Sequence, residues 1–244
     1  MSDISLKSGQ SLEVPPPRRR RWRRWVLSGM VALVVLIVLA VLAVLKLQPS
    51  PPPPLGLPTG AAAAPAGPLD GTWHVATGSV AGFRVRESVL GIGNDVTGRT
   101  SDVTGTALVT TGQVASATFR VDLSTIAVNG KERQPQFVQS LDVTAYPVAT
   151  ITLVRPVALP GSFSSGAEVT AKVAATLELN GRTRPVTVTL SARREGTLID
   201  ASGSLPVAFS DFGIKGPPGY GAFGSLASNG TAEFRLVFAP TAAG

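Results

Sequence analysis

The chain has 244 residues, a formal charge of +7 and no cysteine. Without cysteine there are no disulfides, thiolate nucleophiles, iron–sulfur clusters or zinc–thiolate sites. The charge is local: residues 1–46 hold eight Lys/Arg and two Asp/Glu, the rest fourteen and thirteen, which excludes a nucleic-acid-binding face on the folded part.

Residues 1–17 are polar and end in prolines, a composition that predicts disorder. Arg18 to Trp25 then reads RRRRWRRW and runs into an uncharged apolar stretch, Val26–Leu45. Twenty residues at 1.5 Å rise span about 30 Å, the hydrocarbon thickness of a bilayer. Positive charge beside a first span stays in the cytoplasm, and Trp22 and Trp25 fall where aromatic rings favour the headgroup layer. The apolar core exceeds the ~7–15 residues of a cleaved signal peptide, and Leu45-Lys46-Leu47-Gln48-Pro49 offers no small-x-small site. The expectation is a basic cytoplasmic tail over 1–25 and a single uncleaved transmembrane helix over 26–47. The rest of the chain is then extracytoplasmic, anchored in the cell membrane.

Residues 48–68 hold a four-proline run, four alanines and scattered glycines. Proline fixes φ, so this predicts a stiff polyproline II spacer that loosens toward Pro68. At about 3.1 Å per residue its reach is roughly 60 Å.

From Leu69 onward the texture becomes alternating and β-branched. Phe83 and Val85 alternate with arginines; so do Phe119, Val121 and Leu123 with Arg120 and Asp122, and Phe234, Leu236 and Phe238 with Glu233 and Arg235. Such alternation means strands with one apolar face. About nine are expected, near 72–77, 81–87, 103–110, 115–122, 148–155, 168–179, 183–193, 198–208 and 231–239. Asn180-Gly181 is the best hairpin signal, and Pro185 argues for an edge or bulge in its second arm. Lys131–Leu141 alone reads as helical, with Phe137, Val138 and Leu141 on one face and a start near Gln134. Many antiparallel strands with one short helix make an all-β barrel or sandwich, and closure into a barrel removes exposed edges.

Four strings then resemble, in order, a YceI-like domain across 69–244. They are Leu69-Asp70-Gly71-Thr72-Trp73 with Phe83-Arg84-Val85-Arg86-Glu87 and Val121-Asp122-Leu123-Ser124-Thr125; Leu141-Asp142-Val143-Thr144-Ala145-Tyr146-Pro147; Leu177 to Val188; and Phe209-Ser210-Asp211-Phe212-Gly213-Ile214. The resemblance implies an extended, lipocalin-like antiparallel β-barrel whose apolar tube holds a long isoprenoid or similar amphiphile, and a binding role with no established reaction. The chain departs from the family at Phe137-Val138-Gln139-Ser140, where many relatives carry a His-Leu-Arg-Ser-like segment. A cation for a lipid head group would then come from elsewhere, Arg133 and Lys131 being nearest.

Phe83, Val85, Phe119, Val121, Ile151, Leu153, Val188, Leu190, Phe209 and Phe212 are the candidate lining of the tube or core. An apolar interior rejects unpaired polar groups and accepts a lipid chain at roughly 0.8 kcal/mol per buried methylene. His74 is the only histidine, so a His-based metal cluster is excluded, and its parity in the first strand places it on the surface. Catalysis is not expected, nor a cofactor beyond the bound lipid. The Gly-rich stretch Gly213–Gly224 reads as a mobile flap or an irregular surface loop. The partners expected are an isoprenoid-like lipid and the membrane, with any protein partner unknown. The rival reading is a solid-core β-sandwich of the cell envelope that binds a protein.

Overall fold

The computed structural model of the chain describes residues 19–46, 51–60, 62–89, 92–132, 135–215 and 224–241. Most of the basic tail, Arg133 and residues 216–223 of the expected flap lie outside the described residues. The chain divides into two units, 1–50 and 51–244. The first contains one helix, α1 (Arg19–Lys46), which takes in the apolar run. Its side chains are described only over 28–41 and at 43. Among the described residues no helix is long and apolar enough to cross a membrane.

The second unit is antiparallel β. Its strands are β1 (Gly71–Val75), β2 (Val80–Val89), β3 (Ile92–Thr100), β4 (Val103–Thr110), β5 (Gln113–Asp122), β6 (Ala127–Val128) and β7 (Lys131–Glu132). After helix α2 (Pro135–Ser140) come β8 (Val148–Leu153), β9 (Val157–Ala158) and a one-turn helix α3 (Gly161–Ser164). The chain ends with β10 (Val169–Leu179), β11 (Arg182–Glu195), β12 (Leu198–Ala208), β13 (Gly224–Leu226) and β14 (Asn229–Pro240). Eight strands close a ring in the order β1-β4-β5-β8-β10-β11-β12-β14, sealed by Trp73↔Pro240 and Val75↔Phe238. Closure rules out the two-sheet sandwich. Strand β2 continues along the other half of β14, and β3 and the β6–β7 hairpin extend that wall. At the break between β1 and β2 the buried Ser79 hydroxyl accepts from Val237 N–H (3.0 Å) and donates to the Ala76 carbonyl (2.7 Å), replacing lost ladder bonds.

The expected hairpin forms at Asn180-Gly181, both at positive φ (52° and 67°). Pro185 pairs with Thr176 of β10, but β12 joins β11 only from Thr189, so among the described residues no strand pairs with the proline's other side. The helix begins at Pro135, and Lys131–Glu132 instead pairs back on β6. Asn129 and Gly130 make that turn with φ 49° and 74°, a second Asn-Gly hairpin hidden by very short arms. Strand β3 was not legible either, because its inward residues are Val96, Gly98 and Thr100.

The proline-rich segment is not a free spacer. From Pro52 it lies on the barrel. The Arg84 guanidinium donates to the Pro52 carbonyl (2.7 Å), Arg99 to that of Pro53, and Arg193 to that of Gly60 (3.2 Å). Farther on, Arg194 donates to the carbonyls of Ala66 and Gly67 (2.8 and 3.0 Å), and Ala66 and Ala63 bond to the backbone of Gly196. A polyproline backbone has no internal hydrogen bonds, so its carbonyls remain available to such donors.

Candidate functional site

Cross-strand register sets the inward face. Trp73, Ala107, Ala117, Phe119 and Ile151 share it on one side. Leu177, Ala175, Val188 and Leu190 continue it, and Gly203, Phe234 and Ala81 complete the circuit.

One end of the barrel is packed shut. Trp73 and Phe163 of α3 are each 2% exposed and pack with Val109, Ala192, Ile199 and Phe238. The Trp73 indole N–H donates to the Leu69 carbonyl (2.9 Å), which satisfies its one polar atom. At the opposite end α2 lies over the wall, where the rings of Phe83 and Phe137 stack with centroids 5.1 Å apart. Leu123, Ile126, Val128 and Val143 form the buried cluster there.

Between these ends the inward residues keep accessible surface. Phe119, Val121, Ile151, Leu153, Leu190 and Phe234 are half-buried, although they point into the ring. An inward apolar side chain that a solvent probe still reaches has surface that its neighbours leave uncovered.

Three inward aromatic rings share one device. Phe83 stands opposite Gly98, Phe119 opposite Gly105 and Phe234 opposite Gly203. A Cβ built on Gly98 would lie 2.6 Å from Phe83 Cζ, one on Gly105 2.6 Å from Phe119 Cδ1, and one on Gly203 2.6 Å from Phe234 Cζ. Each ring therefore covers a glycine of the neighbouring strand, and at Gly105 and Gly203 the carbonyls of Thr118 and Thr189 crowd the same site.

By register eight of the ten expected lining residues take inward-facing strand positions, whereas Phe209 and Phe212 lie in a one-turn helix after β12. Phe119, Val121 and Leu190 join the cluster at the closed end, and Phe119 packs against Phe238 at 5.5 Å between centroids. Ile151, Val188, Leu190, Phe209 and Phe212 meet in the middle cluster. Phe83 and Val121 border the cluster under α2. Val85, Val188 and Phe212 are buried, at 7%, 4% and 2% exposure, so their neighbours leave them little surface for a ligand to meet. Leu153 shares the face through its pairing with Ala175. Sequence reasoning missed Phe234, Ala232 and Phe137, and missed the glycines. A glycine inside an alternating strand, with Phe across from it, was the signal that could have found them.

The lumen wall is apolar; the charges stand outside it. Asp95 pairs with Arg84 and Arg86, Glu233 with Arg84 and Arg99, and Asp200 with Arg235. Burial, then donation of its proton toward the Glu195 carboxylate, pushes the Asp200 carboxyl above its usual range. Accepting from Asp200, with Arg193 and Arg235 nearby, pulls Glu195 below its own. His74 is exposed, with Nε2 2.6 Å from the Thr241 hydroxyl, in keeping with a surface role. Among the described residues no group of three or more His, Asp or Glu side chains could hold a metal ion.

The family described as YceI-like domain matches residues 73–238. Among solved structures the chain is similar to "a polyisoprenoid binding domain from Saccharophagus degradans implicated in plant cell wall breakdown". The two share 16% identity over 70% of this chain and 98% of that one, with a TM-score of 0.52. It is also similar to BcnA of Burkholderia cenocepacia, at 19% identity over 64% and 95% of the two chains, with a TM-score of 0.46. No curated protein matches.

Proposed function

The chain belongs to the YceI-like domain family, and from that premise we propose that it is a membrane-tethered, extracytoplasmic lipid-binding protein that holds an isoprenoid-like chain in its barrel. One observation carries this reading: apolar side chains face the interior of a closed ring, and several of them stay only half-buried there. A polyisoprenoid chain is long, apolar and methyl-branched. Shielding it from water gains roughly 0.8 kcal/mol per buried methylene, with no polar group stranded. The solved relative named for polyisoprenoid binding supports the choice of ligand. Phe83, Phe119, Val121, Ile151, Leu153, Leu190 and Phe209 are the residues proposed to touch it. The mechanism is passive: the barrel takes the chain from the outer face of its own membrane and shields it. The tether rests on the apolar run after six arginines and on its helical form in α1.

The test is to express the full chain in a bacterial host, purify it in nanodiscs, and analyse the protein-bound fraction by native mass spectrometry and organic extraction. Recovery of a prenyl chain in stoichiometric amount is expected. A clean apo mass that incubation with prenyl lipids leaves unchanged would overturn the carrier reading. Fractionation of intact cells with external protease checks the tether: the barrel should sediment with membranes and be cleaved from outside.

A further inference from the structure

The inward face of β11 changes character at one end. Val188 and Val186 stand opposite Val173 and Ala175, and Arg184 and Arg182 follow in step, opposite Leu177 and Leu179. All share the inward parity, so an apolar row ends in two exposed arginines. Ala192, which packs with Trp73 and Phe163 at the shut end, lies farther along the same strand. Arg182 therefore stands about 30 Å from that end, at the mouth of the barrel. Strand β12 does not pair with this part of β11. The one-turn helix Phe209–Phe212 comes alongside instead, and Asn180 Nδ2 donates to the Phe212 carbonyl (2.9 Å). The Arg182 guanidinium lies over the cap of that helix, where a Cβ built on Gly213 would be 2.6 Å from Cζ. It is thus seated on backbone at the rim.

Arg84, Arg86, Arg99 and Arg235 on the outer wall pair with carboxylates. Arg182 and Arg184 differ. Among the described residues neither has a carboxylate within 4 Å, and Arg184 donates to the Thr183 carbonyl beside it. Glu178 of the same hairpin stands opposite Thr183 and so takes the outward parity. Asp211 of the one-turn helix pairs with neither arginine. The apolar interior rejects a charge, so a bound lipid that carries one leaves it at the mouth. We propose that Arg182 and Arg184 receive the phosphate of an anionic prenyl lipid whose chain lies in the barrel; this rests on the carrier reading above. The guanidinium fork matches phosphate oxygens in pairs. A chain with a neutral head would occupy the same interior and leave both cations to water.

The full chain in phosphatidylcholine nanodiscs is titrated with geranylgeranyl phosphate and with geranylgeraniol, which share one tail. The parent should bind the phosphate about ten-fold more tightly, and salt should shrink that preference. In Arg182→Gln/Arg184→Gln the two affinities should converge, whereas Arg182→Lys/Arg184→Lys should keep most of the difference. Equal affinities in the parent overturn the inference, as does a preference that survives in the glutamine variant. Equal loss of both probes in that variant, at the parent's Tm, makes the arginines packing groups and overturns it too. If the glutamine variant does not fold, the salt series on the parent decides, and a preference indifferent to salt overturns the site. Inorganic phosphate that binds as tightly as the prenyl phosphate would make this a free-anion site and overturn the lipid assignment. Failure of both prenyl probes overturns the carrier reading itself.

Discussion

The substitution Gly98→Ala tests whether the Phe83 ring borders the proposed ligand. The new methyl carbon would sit 2.6 Å from Phe83 Cζ and 2.8 Å from Ile126 Cγ2, with no backbone atom among its three nearest neighbours. Ordinary carbon contacts begin near 3.5 Å, so the ring must move by about 1 Å. It is held between Gly98 and Phe137, so it moves into the lumen or lifts α2. Overpacking costs about 1–3 kcal/mol, partly offset by roughly 0.5–1 kcal/mol from replacing glycine in a strand. The folded protein should therefore lose only about 1 kcal/mol. A ring displaced into the lumen takes the place of about two chain methylenes, roughly 1.6 kcal/mol of binding or about fifteen-fold in Kd. The assay is titration of a fluorescent prenyl probe into the full chain in nanodiscs, with Tm measured in parallel. Adding Phe83→Leu to Gly98→Ala should restore affinity, because the smaller side chain clears the methyl. If Gly98→Ala lowers Tm but leaves Kd unchanged, Phe83 does not border the ligand and the reasoning fails.

Other substitutions probe other parts of the fold. Phe119→Asp puts a charge among Phe238, Val121 and Ile151 and should abolish lipid retention; retention in a folded variant would remove Phe119 from the lining. Gly181→Ala should cost about 1–2 kcal/mol in urea unfolding, since φ there is 67° and the added methyl would meet the Tyr146 ring. The Asp200–Glu195 pair gives opposing pH effects. Asp200, with its pKa raised, stabilises the fold below its unfolded value and loses that contribution as pH rises through the folded one. Glu195, with its pKa lowered, contributes above its unfolded value and loses the contribution as pH falls through the folded one. Asp200→Asn should therefore remove the downward part of the Tm profile above the ordinary aspartate range, and a profile unchanged from the parent would refute the assignment.

Where the inward residue is large and branched, the sequence shows the strand plainly, as along β5, β10, β11 and β14. Strand β3 did not show because Gly98 cedes its inward space to a phenylalanine fifteen positions earlier in the chain. The alternation it lacks is supplied by its neighbour. Inward positions were legible from parity, but parity cannot tell Val188, which is fully packed, from Leu190, which keeps exposed surface on the same face. The docking of the linker was illegible for a different reason. Its partners are Arg84, Arg99, Arg193 and Glu233, up to 178 residues away in the chain, and each looks like an ordinary solvated charge on the outer face of its own strand.

Those two failures have one physical origin. Alternation reports what a single strand buries, whereas both glycine-backed rings and a docked strap are properties of adjacent strands. Yet the pairs can be found once register is known. Phe83 with Gly98, Phe119 with Gly105 and Phe234 with Gly203 sit directly opposite one another. At each glycine a side chain is barred, by the facing ring at Gly98 and by a backbone carbonyl as well as the ring at Gly105 and Gly203. The space beside each glycine is therefore taken by the phenylalanine of the next strand, and neither residue of a pair can be read without its partner.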